Sequence, residues 1–136
     1  GGLTIRGHIP GKDGIFAASL LIEALSITEK SVSELLAEIE AKYGAYHMAE
    51  KNISFPSAQK SALMAKIFNQ QNLPDFGLKI ARISDFDGLK IYFESGEWIS
   101  IRFSGTEPLL RIYAEADSEK SSTALCNIMT GYLGLE

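Results

Sequence analysis

Apolar and polar positions follow two periods along this chain, that of helices and that of strands. Residues 3–9 (Leu-Thr-Ile-Arg-Gly-His-Ile) fit a short strand or extended loop that ends at Pro10-Gly11. Asp13 can then cap a helix over about 14–25. Ile15, Phe16, Leu20, Leu21, Ile22 and Leu25 make that helix apolar nearly all round. A helix of that kind expects cover on several sides, and here it points to a sheet that these residues do not supply. Ser31 and Glu34 form a capping box for a second helix. Its face is Val32, Leu35, Leu36, Ile39 and Tyr43, and Gly44 is placed to close it.

Residues 46–56 are mixed and mostly polar, and read as a connector with some extended structure. From Ser57 the pattern sharpens. Leu63, Met64, Ile67 and Phe68 mark a helix that stops before Leu73-Pro74. Strands are expected at 78–84, 89–94, 97–103 and 110–116, with turn chemistry at Asp85-Phe86-Asp87-Gly88 and Ser95-Gly96. Asp117 or Ser118 caps a last helix with the stripe Leu125, Ile128, Met129 and Tyr132. The fold class expected is α+β, an antiparallel four-stranded sheet with flanking helices, preceded by a helical remnant of an α/β domain. The expected divisions are 1–45, a connector at 46–56, and 57–136.

Composition narrows the classes of function. Of 136 residues, 46% are hydrophobic and 22% charged, which is a globular balance. A formal net charge of −4 weighs against nucleic acid as a partner, while leaving room for a small anion where a few cations converge. No run approaches the roughly 20 apolar residues that cross a bilayer, so no membrane partner is expected. The opening residues lack a basic stretch followed by an apolar one, and no secretory leader is expected. One cysteine, Cys126, fits a reducing compartment, and a cytoplasmic location is expected. The Gly-Gly start without methionine reads as the interior of a longer chain.

Chemistry concentrates between Trp98 and Tyr113. Ile99, Ile101 and Phe103 share one strand face, which puts Arg102 on the other. Leu110, Ile112 and Ala114 likewise leave Arg111 and Tyr113 opposite. If both apolar faces cover one core, Phe103 pairs with Leu110, Ile101 with Ile112, and Arg102 with Arg111. Like charges facing each other across a ladder are destabilising, and an anion between them would explain their presence. The loop Ser104-Gly105-Thr106-Glu107-Pro108-Leu109 adds two hydroxyls and a glycine that lets backbone N–H groups turn inward. Arginine supplies a planar fork for phosphate oxygens. The spacing fits equally a plain hairpin loop whose hydroxyls satisfy their own backbone, with Arg102 paired to Glu107.

Arg102-Phe-Ser-Gly-Thr-Glu-Pro108, followed by Arg111, resembles the phosphate-binding loop in the fourth domain of the α-D-phosphohexomutases. The stretch from Gly1 to Ile15, with Arg-Gly-His and Gly-Lys-Asp-Gly, resembles the segment after the Glu-Glu-Ser of that family's sugar-binding loop in domain three. The resemblance covers essentially the whole chain and is most specific at its two ends. It implies that Arg102, Ser104, Gly105, Thr106 and Arg111 hold the substrate's phosphate. It implies a substrate-binding role for Lys12 and, more weakly, for His8, with Arg6 weaker still and His47 left on the surface.

The same resemblance implies a complete enzyme that interconverts hexose 1-phosphate and 6-phosphate. A phosphoserine in domain one and a Mg²⁺-holding Asp-x-Asp-x-Asp loop in domain two would supply the chemistry, with a hexose 1,6-bisphosphate as intermediate. Neither element is in this sequence, nor is the Glu-Glu-Ser, so the chain alone is expected to be inactive. Asp85 and Asp87 flank only Phe86 in a turn and read poorly as a metal site. The opening resembles phosphoglucomutases and dual-specificity relatives more than phosphoglucosamine mutases, with mannose and pentose phosphates still open as substrates.

The rival reading is a stand-alone anion-binding or protein-interaction module. For the first two helices, mobility, self-association and folding back on the C-terminal domain all stay open. Glu38 and Glu40 read as a solvated helix face, and Cys126 as buried and inert. Trp98, on the Arg102 side of its strand, could wall the pocket or pack under the last helix.

Overall fold

The computed structural model describes residues 2–69 and 72–135 and divides into two compact units, Gly1–Gly44 and Ala45–Glu136. In the first unit, Asp13 leaves helical geometry and accepts the Phe16 N–H at 3.0 Å, which starts helix α1 (Gly14–Thr28). Glu29 ends it in the left-handed conformation, donating its N–H to the Leu25 carbonyl. Helix α2 (Val32–Tyr43) opens on the expected capping box, in which Glu34 and Ser31 satisfy each other's backbone N–H. Neither helix buries a single residue, and Ile15 is 84% exposed. The apolar girdle of α1 is therefore open surface.

The second unit is built on one sheet. Its strands are β1 (His47–Ser54), β2 (Ile80–Ser84), β3 (Leu89–Phe93), β4 (Trp98–Phe103) and β5 (Leu109–Ala116). They lie in the order β1-β5-β4-β3-β2, every neighbouring pair antiparallel. The four-stranded expectation is corrected here to five strands, because residues 47–54 of the expected connector pair along the whole of β5. The physical reason lies in the composition of β1. Ala49, Lys51 and Ile53 are its half-buried positions, so a lysine interrupts its apolar face. Ala, Glu, Lys and Asn are poor strand formers, and a lysine-bearing strand is the kind found at a sheet edge.

One face of the sheet carries the core. Leu89, Ile91, Ile99, Ile101, Leu110, Ile112 and Ala114 are buried against Leu63 and Ile67 of α3 (Lys60–Phe68) and Leu125, Cys126, Met129 and Leu133 of α4 (Glu119–Leu133). Of the two caps offered for α4, Ser118 is the one used, accepting the Ser121 N–H at 3.2 Å. Gly134 closes the helix at φ +71. Burial of Cys126 pushes its thiol pKa up to about 11.

With both helices on the core side, the opposite face of the sheet belongs to the polar members of each alternation. Trp98 lies on that open face. Its indole N–H donates to Glu115, its register partner, at 2.8 Å, and the Lys90 ammonium sits 3.6 Å from its ring centroid. Packing under α4 is thereby excluded for Trp98.

Candidate phosphate-binding site

The register of β4 and β5 follows from their apolar alternation. Ile99 pairs with Ala114, Ile101 with Ile112 and Phe103 with Leu110, all toward the core, which sets Arg102 directly opposite Arg111 on the open face. Both arginines are exposed. Asn52 of β1 flanks Arg111 on its other side. Among the described residues Arg111 forms no salt bridge.

The loop between the strands is held at both ends. The Ser104 N–H donates to the Leu109 carbonyl at 2.8 Å, and the Leu109 N–H to the Glu107 carbonyl at 2.8 Å. Phe55, the residue that follows β1, clamps both sides of the loop. Its N–H donates to the Pro108 carbonyl at 3.1 Å, and its ring meets Phe103 edge-on at 5.7 Å. Strand β1, which the sequence pattern concealed, thus helps to fix the loop. The Ser104 and Thr106 hydroxyls lie 3.5 Å apart.

Arg102, Phe103, Ser104, Gly105 and Arg111 line a cavity of about 140 Å³. That is room for a phosphate with some water, and two arginines paired across the ladder are among the residues that line it. Thr106 is not part of the lining; its hydroxyl faces Ser104. A much broader hollow of about 710 Å³ runs between β1 and α4, lined by Lys51, Asn52, Thr130 and Gly131 among others. Among the described residues a single cation, Lys51, borders it, so it lacks the convergence that a phosphate needs.

The plain-hairpin alternative placed Glu107 on Arg102. The carboxylate that pairs with Arg102 is instead that of Asp87, whose Oδ2 lies 3.3 Å from Nη1. The β2–β3 turn brings it there, and sequence distance hid it.

Lys12, His8 and Arg6 lie in the first unit. His8 stacks on Phe16, with ring centroids 3.9 Å apart, and its Nε2 meets Asp13 Oδ2 at 2.8 Å. The Phe16 N–H, and after it His8, hold the Asp13 carboxyl below its ordinary pKa. His8 is therefore tied into the α1 cap through one ring nitrogen. Lys12 is exposed, and its aliphatic stem runs so close to Gly2 that a Cβ there would fall 2.3 Å from Lys12 Cδ. Arg6 is exposed as well.

Two family models match the chain. "Phosphoglucomutase/phosphomannomutase, C-terminal domain" covers residues 28–130, and "alpha/beta/alpha domain III" of the same family covers residues 1–43. Among curated relatives, the phosphoglucomutase/phosphomannomutase of Thermococcus kodakarensis is 30% identical over 122 residues, 90% of this chain and 24% of the relative. A probable phosphoglucosamine mutase of Methanosarcina acetivorans is 39% identical over 106 residues, 76% of this chain and 21% of the relative. Another, of Methanothermobacter thermautotrophicus, is 30% identical over 121 residues, 89% of this chain and 25% of the relative. The chain thus spans about a quarter of the length of the curated relatives it matches. With the loop from β4 to β5 in its expected register and both family models in their expected order, the chain belongs to the phosphoglucomutase/phosphomannomutase family, of which it carries the C-terminal domain and the end of domain III.

Proposed function

We propose that residues 102–111 anchor the phosphate of a hexose phosphate in a phosphohexomutase. The complete enzyme would interconvert hexose 1-phosphate and 6-phosphate through a phosphoserine and a hexose 1,6-bisphosphate. One observation carries the reading: two arginines stand opposite each other across a ladder and line, with Ser104 and Gly105 of the loop, a cavity of about 140 Å³. Arg102 and Arg111 would grip phosphate oxygens, while Ser104 and the backbone at Gly105 donate to the others. Thr106 would hold the Ser104 hydroxyl in place.

Phosphoryl transfer is mostly positioning and charge stabilisation, so an anchor on the non-reacting phosphate supports orientation at the reacting one. Lys12 and His8 would contact the same substrate from the domain III portion. The donor set for the family's Mg²⁺ belongs elsewhere in this reading. Among the described residues no three His, Cys, Asp or Glu side chains come together, and no step here is assigned to a metal. The opening motif and the Thermococcus relative's name favour glucose or mannose phosphate. The names of the probable phosphoglucosamine mutases make glucosamine phosphate the competitor to include.

The test is Arg102→Ala in the complete enzyme. Loss of a charge-assisted contact is worth about 1.5–3 kcal/mol, or roughly ten- to a hundred-fold in kcat/KM, felt in both kcat and KM. Unchanged kinetics would remove the anchor role.

A second reading, an anion-binding or interaction module that works by itself, draws on the bare surface of α1 and α2, where Ile22 is 66% and Ile27 75% exposed. Upstream coding sequence for a phosphoserine loop and an Asp-x-Asp-x-Asp loop decides for the enzyme.

A further inference from the structure

The turn between β2 and β3 is seated against the anchor strand with little freedom. Gly88 adopts φ +87, and a Cβ on it would lie 2.4 Å from the Ile101 carbonyl oxygen and 3.2 Å from Arg102 Cα. Only glycine permits that approach without strain. The next residue, Leu89, begins the β3–β4 ladder opposite Ile101. Asp87, immediately before Gly88, is therefore set beside Arg102 by the backbone of the turn as well as by the reach of its side chain. Its Oδ2 meets Arg102 Nη1 at 3.3 Å, with 66% of the Asp87 side chain and 59% of the Arg102 side chain exposed.

Two charges thus face Arg102 in opposite senses: Arg111 across one ladder and Asp87 from the neighbouring turn. Asp87 is not among the residues that line the cavity. A pair this exposed is weak and screened by salt, so a doubly charged phosphate with both arginines in reach displaces the single carboxylate.

We propose that Asp87 is a built-in competitor for the anchor, a positioning residue that holds the Arg102 guanidinium while the site is empty and yields it to phosphate. This rests on the anchor reading given above and adds a residue to it. The consequence is a deliberately loosened grip. Where phosphate takes the Arg102 Nη1 that Asp87 holds, binding breaks the pair and release restores it, which favours exchange of a ligand that has to leave and return.

The experiment uses the 136-residue chain as it stands. Inorganic phosphate and glucose 1-phosphate are titrated at low salt into the wild type, Asp87→Asn and Asp85→Asn, reading backbone amides 103–106 and the Nε–Hε signals of the arginines. Asp85→Asn removes the same charge from the same turn, where no ion pair to Arg102 is formed among the described residues. Asp87→Asn should tighten binding about two- to five-fold, a gain that shrinks toward none at about 0.5 M salt, and Asp85→Asn should give less than half of it. Without ligand, Asp87→Asn should move the Arg102 Nε–Hε signal and leave that of Arg111 in place. Binding that is unchanged or weaker in Asp87→Asn, or an equal gain in Asp85→Asn, overturns the competitor. Wild type with no saturable shift removes the anchor and the competitor together; saturable wild type with an indifferent Asp87→Asn removes the competitor alone.

Discussion

If Arg102 and Arg111 face each other for the sake of an anion, the protein should become more stable when one of them is neutralised. Arg111→Gln is the cleaner change, since Arg102 keeps its Asp87 pair and Arg111 has no salt-bridge partner among the described residues. Like charges directly opposite in a ladder cost about 0.2–1 kcal/mol. Both side chains are exposed, and Asp87 already offsets part of the field at Arg102, so the lower half of that range applies. For a unit of this size each kcal/mol is worth about 4–8 °C, so Tm should rise by about 1–4 °C at low salt. The gain should fade as salt is raised to about 1 M.

Phosphate should reverse the order. A ligand at 100 times its Kd adds about 2.7 kcal/mol to the form that binds it, and Arg111→Gln forfeits most of that. Thermal unfolding by circular dichroism, with and without glucose 1-phosphate, reads both effects. A variant less stable than wild type in the absence of ligand would show that Arg111 serves the fold, and the argument from opposed charges would fail.

Two further outcomes follow from the same geometry. Gly88→Ala forces a Cβ to 2.4 Å from the Ile101 carbonyl oxygen at φ +87, so the turn must shift, and urea unfolding should show a loss of about 1–3 kcal/mol. Wild-type stability there would mean the turn is not seated on β4. The Cys126 thiol, pushed up to about 11 by burial, should resist a thiol reagent at pH 8 and react fully in denaturant. A native pKa above the unfolded one means this group's contribution is complete below about pH 9 and declines as pH rises toward 11. Fast labelling of the native chain would contradict its burial beneath the sheet.

The sequence made the site's register legible because β4 and β5 alternate without interruption. Once Ile99, Ile101, Phe103, Leu110, Ile112 and Ala114 are assigned to one core, the opposition of Arg102 and Arg111 has no freedom left. Helix starts were equally readable, since Asp13, Ser31 and Ser118 each cap through a side-chain oxygen. Strand β1 was not, because Lys51 sits at the centre of its inward face and its pairing to β5 spans about sixty residues of chain. The clamp of Phe55 on the loop from β4 to β5 was hidden with it.

The partner of Arg102 was missed for a related reason. Glu107 is near in sequence but forms no salt bridge with Arg102 among the described residues, while the β3–β4 ladder delivers Asp87. The face of Trp98 was legible from the alternation, but what that face meets needed the position of α4. Local rules carried the alternation and the caps, and tertiary pairing supplied everything that crossed between hairpins.

The central claim is that residues 102–111 form a phosphate anchor. The most direct measurement is an amide-shift titration of the chain with glucose 1-phosphate at low salt, against a sulfate control and against Arg102→Ala. Saturable shifts within 102–111 that vanish in Arg102→Ala, with a weaker response to sulfate, are the result this account predicts. No shift there at millimolar ligand, or shifts centred instead on the hollow beside Lys51 and Asn52, would contradict it.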